Sequence, residues 1–270
     1  MSTYLDTILE RTRATVAAAK AHGGTRFEDL LGAPRIPRGW AKALRQKDQA
    51  GIAVIAEIKK ASPSRGLIRG DFDPMELARS YFSGGAAALS VLTDEPFFQG
   101  KLEDLKLASD AAPLPCLRKD FIVDEFQISQ ARRWGADAIL LIAAALNNQE
   151  MKRFADAAQD LRLDVLVEVH TADELDRVLD ALGATGADAI GVNNRDLKTL
   201  EVRLETSFEL IDRIPRSVIR VAESGISQAD DLARLRAAGF DAFLIGESLM
   251  RQKDPGAALK TLIAGATVAR

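Results

Sequence analysis

The chain has 270 residues, of which 47% are hydrophobic and 28% are charged, which is enough for one large core or two ordinary domains. The net charge is −3 and the isoelectric point is about 5.6, and no basic stripe is present, so nucleic acid is not an expected partner. No apolar run approaches the roughly 18 residues of a membrane-spanning helix, so no membrane association is expected.

Residues 1–47 precede the first apolar strand, and their pattern predicts a helical extension. The segment MSTYLDTILERTRATVAAAK is charged and amphipathic and lacks the apolar stretch of a secretory signal. The connector LGAPRIPRGW, punctuated by proline and glycine, follows it. We therefore expect residues 1–47 to pack on residues 48–270 within a single domain.

Four similar stretches recur about every 50 residues along the chain. They read GGAAALSVL, WGADAILLI, TGADAIGVN and AGFDAFLIG. Their aligned glycines, which suit a left-handed residue between a helix and a strand, are Gly85, Gly135, Gly186 and Gly239. Between these copies lie four more apolar runs, VIAEIKK, PLPCLRKDF, DVLVEVH and SVIRVAESG. The chain therefore predicts eight strands.

The segments between these strands have apolar positions three and four apart, which is typical of amphipathic helices. They include DPMELARSYFSGG, VDEFQISQARRWG, NQEMKRFADAAQDLR, TADELDRVLDALG and SQADDLARLRAAG. Strands that alternate with helices pair in parallel, so the pattern predicts the α/β class and a (β/α)8 TIM barrel with an N-terminal helical extension. The alternative, an open doubly wound sheet, lacks the expected Gly-x-Gly-x-x-Gly after the first strand.

Polar and charged residues mark the predicted carboxyl ends of the strands, where barrels of this kind place their chemistry. In chain order they are Glu57, Lys59, Thr93, Lys119, Glu168, Asn193, Arg195, Glu223 and Ser224. Glu57 and Lys59 are two residues apart, so a strand directs both side chains to one face. Burying unpaired charges costs several kcal/mol per ion, so their convergence favours a catalytic site over a structural ion-pair network.

A phosphate site is predicted in the last two strand-to-helix loops. Gly225 follows the seventh strand and Gly246 follows the eighth, and glycine lets main-chain N–H groups approach an anion. A short helix beginning near Glu247 would add its dipole, and Ser62 and Ser64 could add hydroxyls. The simpler alternative is that these glycines and serines only form turns.

Other residue types narrow the chemistry. Cys116, the single cysteine, lies in an apolar context and indicates a core residue in a reducing, cytoplasmic compartment. His22 and His170 have no companion His or Cys ligands, so a metal site is not expected. No Ser-His-Asp order and no Walker loop is present. No pattern marks a subunit interface, which leaves a monomer as the expectation.

Six motifs together resemble the indole-3-glycerol-phosphate synthase family of tryptophan biosynthesis. They are AEIKKASPSRG, LRKDFIVDEFQI, LVEVH, IGVNNRDLKTLEV, VAESGI and FLIGESLM, and the resemblance covers essentially the whole chain. It implies a cofactor-free lyase that converts the phosphorylated small molecule 1-(2-carboxyphenylamino)-1-deoxyribulose 5-phosphate to indole-3-glycerol phosphate, CO2 and water. Some members carry an additional lysine where this chain has Ala61.

The resemblance also implies roles. Lys119 is the expected general acid at the sugar carbonyl, and Glu168 the acid/base of the dehydration. Lys59 faces the substrate carboxylate or donates a proton in dehydration, and Glu57 holds the lysines. The implied substrate contacts are Asn193, Ser224, Arg195, Phe98, Phe121 and Leu140. The implied phosphate contacts are Ser62, Gly225, Gly246 and Glu247.

Catalysis at neutral pH would benefit from a lowered lysine pKa and a raised Glu168 pKa, and we expect both. Three alternatives to the synthase remain at this point. One is a Schiff-base aldolase using Lys59 or Lys119. The others are a phosphoribosylanthranilate isomerase, expected to use a Cys/Asp pair, and a silent phosphosugar-binding barrel.

Overall fold

A computed structural model describes residues 3–22, 35–46, 52–197 and 199–268. Eight parallel strands close into a barrel in which each strand pairs with its neighbours in chain order and the last pairs with the first. The strands are β1 (Ala53–Ile58), β2 (Ala88–Leu92), β3 (Cys116–Lys119), β4 (Ala138–Ile142), β5 (Asp164–Val169), β6 (Ala189–Asn193), β7 (Ile219–Glu223) and β8 (Ala242–Ile245). The predicted (β/α)8 barrel is confirmed.

Helices alternate with the strands around the outside of the barrel. They are α1 (Tyr4–Ala21), α2 (Trp40–Arg45), α3 (Pro74–Ser83), α4 (Glu95–Phe98), α5 (Leu102–Ala111), α6 (Glu125–Arg133), α7 (Asn148–Asp160), α8 (Ala172–Leu182), α9 (Glu205–Leu210), α10 (Ala229–Ala238), α11 (Glu247–Met250) and α12 (Pro255–Val268). A short antiparallel hairpin, Ala61–Ser62 with Gly66–Leu67, follows β1. Every helix in the described ranges is too short or too polar to cross a membrane.

The five quoted helical segments contain α3, α6, α7, α8 and α10, and side-chain caps explain most of their starts. Asp73, Asp124, Asn147 and Thr171 each accept a hydrogen bond from a main-chain N–H in the first turn. Two helices that the pattern did not mark, α5 and α9, begin without a side-chain cap bond. At the start of α5 the Asp104 carboxylate instead accepts the main-chain N–H of Lys101, at 3.0 Å.

The repeated stretches have a structural role at the amino-terminal end of the barrel. In three copies an aspartate, Asp137, Asp188 or Asp241, lies directly before its strand. Each carboxylate accepts a main-chain N–H from the beginning of the preceding strand, at 2.7, 2.9 and 3.1 Å. The repeat therefore satisfies main-chain donors at the bottom of adjacent strands.

The left-handed glycines are confirmed at three of the four predicted positions. Gly85, Gly135 and Gly239 have φ of 90°, 89° and 112°. The prediction for Gly186 is wrong. Helix α8 ends earlier, at Leu182, and the positive φ of 63° belongs to Gly183 instead.

The N-terminal segment contacts the barrel at both ends. Near the mouth, the ring of Tyr4 in α1 packs edge-on against Phe97, with centroids 5.9 Å apart. At the opposite end, Trp40 and Leu44 of α2 are fully buried among the inward-facing residues of the barrel. The predicted boundary between residues 47 and 48 lies outside the described residues, so the division of the chain at that point stays a prediction.

Asp137 connects this segment to the bottom of the barrel. The Arg35 guanidinium donates to both of its carboxylate oxygens at 2.6 Å. The main-chain N–H groups of Arg38 and Cys116 donate to the same carboxylate at 2.5 and 2.7 Å. The Asp137 side chain is fully buried, so this charge depends on these four donors.

Candidate active site

The four odd-numbered strands each contribute one ionisable residue to the uppermost layer of the barrel interior. These residues are Glu57 on β1, Lys119 on β3, Glu168 on β5 and Glu223 on β7. All four line a cavity of about 470 Å³ at the carboxyl ends of the strands. The layer beneath them is apolar, since Ile55, Leu117, Leu166 and Val221 belong to one buried interior cluster. The convergence predicted from the strand ends is therefore present.

Lys119 lies between two carboxylates from other strands. Its Nζ is 2.8 Å from Glu168 Oε2 and 2.7 Å from Glu223 Oε2. Glu57, which β1 contributes to the same layer, forms an ion pair with Lys59. The paired lysines and glutamates are nearly buried, so each charge depends on a specific partner rather than on water.

The pKa shifts follow from these contacts. Burial alone would lower the pKa of Lys119, but the charges of Glu168, Glu223 and Glu57 outweigh it and raise that pKa. Burial alone would raise the pKa of Glu168, yet Lys119 and His170 hold it below its ordinary value. At Glu223, burial together with the charge of Glu168 raises the pKa to about 7.

Both expectations about pKa are therefore wrong for the free protein. The Lys119 pKa is raised rather than lowered because the carboxylates around it outnumber the nearby cations. The raised carboxyl pKa belongs to Glu223 and not to Glu168. Strand positions alone place these groups in one layer but do not determine which carboxylate lies nearest each cation.

His170 extends this charged layer toward α8. Its Nε2 lies 3.4 Å from Glu168 Oε1, and its Nδ1 lies 3.2 Å from Glu174 Oε2. Burial alone would lower the pKa of His170, but these two carboxylates raise it to about 10. His170 is therefore a cation that contacts Glu168 from outside the cavity lining. In the part of the chain described, no group of three or more potential metal ligands is present.

The His170 pKa predicts a pH-dependent contribution to stability. A histidine pKa raised from about 6.5 stabilises the fold fully below pH 6.5, and this contribution is lost as the pH rises toward 10. In the parent protein, the free energy of unfolding should fall between pH 6.5 and 9.5 as His170 loses its proton. In His170→Gln we expect this fall to be smaller by more than about 1 kcal/mol. Urea denaturation at both pH values measures it, with His22→Gln on the exposed end of α1 as control. Equal losses in the parent and His170→Gln would contradict the assignment.

An apolar wall occupies one side of the cavity. It includes Phe98, Phe121 and Leu140, as predicted, together with Leu92 and Ile142. The rings of Phe98 and Phe121 are 6.3 Å apart and tilted by 40°. This wall offers a flat aromatic group a dry surface next to the lysines.

The polar side contains the other predicted substrate contacts. Asn193, Arg195 and Ser224 line the cavity. Asn193 Oδ1 accepts the main-chain N–H of Arg195 at 3.0 Å, which orients its amide. Ser224 has φ of 65° and precedes Gly225 at 82°, so two consecutive left-handed residues turn the chain at the cavity edge.

At the other end of the cavity, three arginines converge on Glu247. Its carboxylate lies 3.0 Å from Arg65 Nε and 3.4 Å from Nη2 of both Arg195 and Arg251. The predicted residues Gly225, Gly246 and Glu247 line this end, and α11 begins at Glu247 as expected. Three guanidinium groups give this end of the cavity the positive charge and the N–H donors that suit an anion.

Two predicted positions differ from expectation. Ser62 lines a smaller adjoining cavity beneath Tyr4 and Ile8 of α1, and not the main one. Thr93 does not face the main cavity, since its hydroxyl donates to Asp120 at 2.6 Å and accepts from Arg118 at 3.1 Å behind β3. Leu92 faces the cavity, so the alternation of side chains along β2 directs Thr93 away from it.

The sequence interpretation missed two of the arginines. Arg65 lies inside the quoted stretch SPSRG, and Arg251 follows FLIGESLM four residues after Glu247. Both signals were weak, because a surface arginine near a turn is common. Cys116 is fully buried and free, as predicted, and burial raises the pKa of its thiol to about 12.

Comparison with known proteins agrees with this geometry. The sequence profile described as Indole-3-glycerol phosphate synthase matches residues 5–262. Indole-3-glycerol phosphate synthase of Koribacter versatilis is 52% identical over 97% of this chain and 100% of its own length. The protein of that name from Leptothrix cholodnii is 48% identical over 98% of this chain and 100% of its own length.

A solved structure shows the same fold at low identity. The 3-hexulose-6-phosphate synthase of Salmonella typhimurium superposes with a TM-score of 0.63 and 14% identity, over 81% of this chain and all of that chain. This likeness shows the barrel fold alone. The profile match and the two relatives, which extend over nearly the full chain, establish more: this chain belongs to the indole-3-glycerol phosphate synthase family.

Proposed function

We propose that the protein catalyses the conversion of 1-(2-carboxyphenylamino)-1-deoxyribulose 5-phosphate to indole-3-glycerol phosphate, CO2 and water, a lyase reaction of tryptophan biosynthesis. The observation that carries this proposal is one cavity with three chemically distinct parts. Its apolar wall suits the aromatic ring, its arginines suit the phosphate, and the lysine–carboxylate layer lies between them. The family membership supports the same reaction.

In the proposed first step, Lys119 donates a proton to the carbonyl oxygen at C2 of the sugar. The ring carbon that carries the carboxylate attacks C2, which forms a carbon–carbon bond and converts the carbonyl to a hydroxyl. The carboxylate then leaves as CO2, and its bonding electron pair restores the aromatic ring. Lys59, near the apolar wall, pairs with the substrate carboxylate before this step.

Dehydration follows. The C2 hydroxyl leaves as water after it receives a proton from one of the lysines, and Glu168 removes a proton from C1. The new double bond completes the indole ring. The low pKa of Glu168 in the free protein keeps it ionised and ready to accept this proton.

Glu223 regulates the acid strength of Lys119 in this proposal. A raised lysine pKa ensures protonation but opposes proton release. When Glu223 takes up a proton, which its pKa of about 7 permits, it no longer raises the pKa of Lys119. Lys119 then becomes the stronger acid that the first step requires.

The protonated state of Lys119 disfavours a Schiff-base aldolase that uses this residue. Imine formation needs a neutral amine, and the carboxylates around Lys119 keep it protonated. An isomerase that depends on a reactive cysteine is also disfavoured, since Cys116 is buried with a pKa of about 12.

Indole fluorescence tests the proposed activity. Adding the carboxyphenylamino substrate to the purified protein should produce indole emission with Michaelis–Menten dependence. A folded protein that gives no emission would refute the proposal. Covalent trapping of a keto-sugar phosphate by borohydride would point to the aldolase instead.

The arginine cluster predicts an effect on substrate affinity. Arg65 has no catalytic role here and pairs with Glu247 at 3.0 Å, so Arg65→Ala should raise KM roughly 5–10-fold through loss of a charge-assisted phosphate contact. The kcat should change by less than about twofold. Steady-state kinetics measures both, with Arg203→Ala, an exposed arginine paired with Glu209, as control. An unchanged KM would remove Arg65 from the phosphate site.

We also propose that the protein is a cytoplasmic monomer that acts without nucleic acid or a membrane. The buried free cysteine supports a reducing compartment. Among the described residues, the exposed large apolar side chains belong to separate segments of the chain, at Ile36, Leu67, Phe82, Leu107 and Val202. Light scattering should give the chain mass of 29.2 kDa, and twice that mass would contradict a monomer.

A further inference from the structure

Two of the three carboxylates in the charged layer lie against a glycine on the neighbouring strand. A Cβ atom added to Gly191 on β6 would overlap Glu223 Oε1 and lie 3.1 Å from Glu223 Cδ. A Cβ atom added to Gly246 after β8 would overlap Glu57 Oε1 and lie 2.9 Å from Glu57 Cβ. Around the barrel, β6 is adjacent to β7 and β8 is adjacent to β1. In both places a carboxylate occupies the space beside a glycine of the adjacent strand, although Gly191 pairs in register with Val221 and not with Glu223.

One oxygen of Glu223 lies in the space beside Gly191, where no donor of the described residues reaches it. Its Oε2 accepts from Lys119 at 2.7 Å. Its Oε1 is buried and has no hydrogen-bond partner among the described residues. Oε1 occupies the space beside Gly191, where any other residue would have a Cβ atom. The third carboxylate, Glu168, pairs in register with Gly191 on one side and with Ile142 on the other, and its oxygens contact Lys119 and His170.

The main chain gives Gly191 no separate reason to be glycine. Gly191 lies within β6 and has no positive φ. Alanine would therefore adopt its backbone conformation without strain. The closest atom in conflict is the far end of the Glu223 side chain, and Leu166 Cδ1 would lie 3.2 Å from the added Cβ. Both are side-chain atoms, so they can move while the strand stays in place.

We propose that Gly191 is a positioning residue for the reaction, because the space beside it holds the Glu223 carboxylate against Lys119. A methyl group at this position would move Glu223 away from Lys119. Lys119 would then lose the group that orients it and adjusts its proton release. The kinetic part of this inference rests on the proposed function, whereas the positional part does not.

A double-mutant cycle tests the kinetic part. We expect Gly191→Ala to lower kcat roughly 10–100-fold and to change KM by less than about threefold, as misorientation of an acid would. In the Glu223→Ala background, adding Gly191→Ala should change kcat by less than about twofold. Gly70→Ala is the matched control, since a Cβ atom there meets nothing within 4 Å. Equal losses with and without Glu223 would overturn the inference.

A second pair of variants covers the case in which Gly191→Ala does not fold. Glu223→Asp shortens the side chain by one methylene and leaves room for a methyl group at position 191. Gly191→Ala/Glu223→Asp should therefore fold and match the kcat of Glu223→Asp. A further large loss of kcat or of folding in the double variant would overturn the inference.

A crystal structure of Gly191→Ala separates this inference from the proposed function. The distance from Glu223 Oε2 to Lys119 Nζ, now 2.7 Å, should exceed hydrogen-bonding distance. A retained contact would overturn the inference. Absence of indole emission from both the parent and Gly70→Ala would refute the proposed function, and the measured distance would still decide the role of Gly191.

Discussion

Replacing Lys119 with methionine should lower kcat by roughly 10²–10⁴-fold, the range that a general acid contributes. Lys119 is the cation placed between Glu168 and Glu223, at 2.8 and 2.7 Å, and in our mechanism it alone protonates the sugar carbonyl. Methionine keeps the length and the apolar stem but cannot donate. KM should change little, because the phosphate and the aromatic ring are bound by other residues. Steady-state kinetics by indole emission measures both quantities.

A second substitution at the same position distinguishes proton donation from charge alone. Lys119→Arg keeps a cation near both carboxylates, but a guanidinium does not release its proton at accessible pH. We expect this variant to be nearly as slow as Lys119→Met. Lys152→Met, on the exposed face of α7, is the control for the loss of a lysine. A Lys119→Arg variant with near-parental kcat would show that Lys119 acts only through its charge.

Asp137→Asn should lower the free energy of unfolding by roughly 3–5 kcal/mol, the usual cost of breaking a buried ion pair from one side. The buried carboxylate receives four donors, two from Arg35 and one each from the main chain of Arg38 and Cys116. An asparagine amide offers one acceptor oxygen, so its NH2 group would face the remaining donors. Urea denaturation measures the change.

The repeat provides a matched control for this prediction. Asp188→Asn makes the same change at the corresponding position of another copy of the repeat. There the carboxylate accepts the main-chain N–H of Val165 at 2.9 Å, and it forms no ion pair with any described residue. Its cost should be about 1 kcal/mol, the value of one hydrogen bond. The kcat of both variants should stay close to parental, since these residues lie at the opposite end of the barrel. Equal costs would show that Arg35 contributes nothing to stability.

Much of the fold was predictable because its signals are local. Each strand is a short apolar run, and most connecting helices begin at Asp, Asn or Thr side chains that cap them. Gly186 was misassigned because α8 ends before it, and helix ends are set by packing as well as by residue type. The repeated aspartates were visible in the sequence, but their main-chain partners were not.

The candidate site was predictable to the level of which residues meet. Glu57, Lys119, Glu168 and Glu223 were identified from their places at strand ends, and they lie in one layer. Thr93 faces away from the cavity because its neighbour Leu92 faces it, and Ser62 lies in the hairpin after β1 and lines the adjoining cavity.

The sequence by itself therefore determined the barrel, the order of its strands and the inward-facing residues at their ends. These features follow from residue periodicity, which acts over a few residues. Only the tertiary structure decided that Glu223 and not Glu168 has the raised pKa, that Glu247 meets three arginines, and that Gly191 makes room for a carboxylate. Each of these depends on distances between strands far apart in the chain, and both electrostatic interaction and steric overlap are set by those distances.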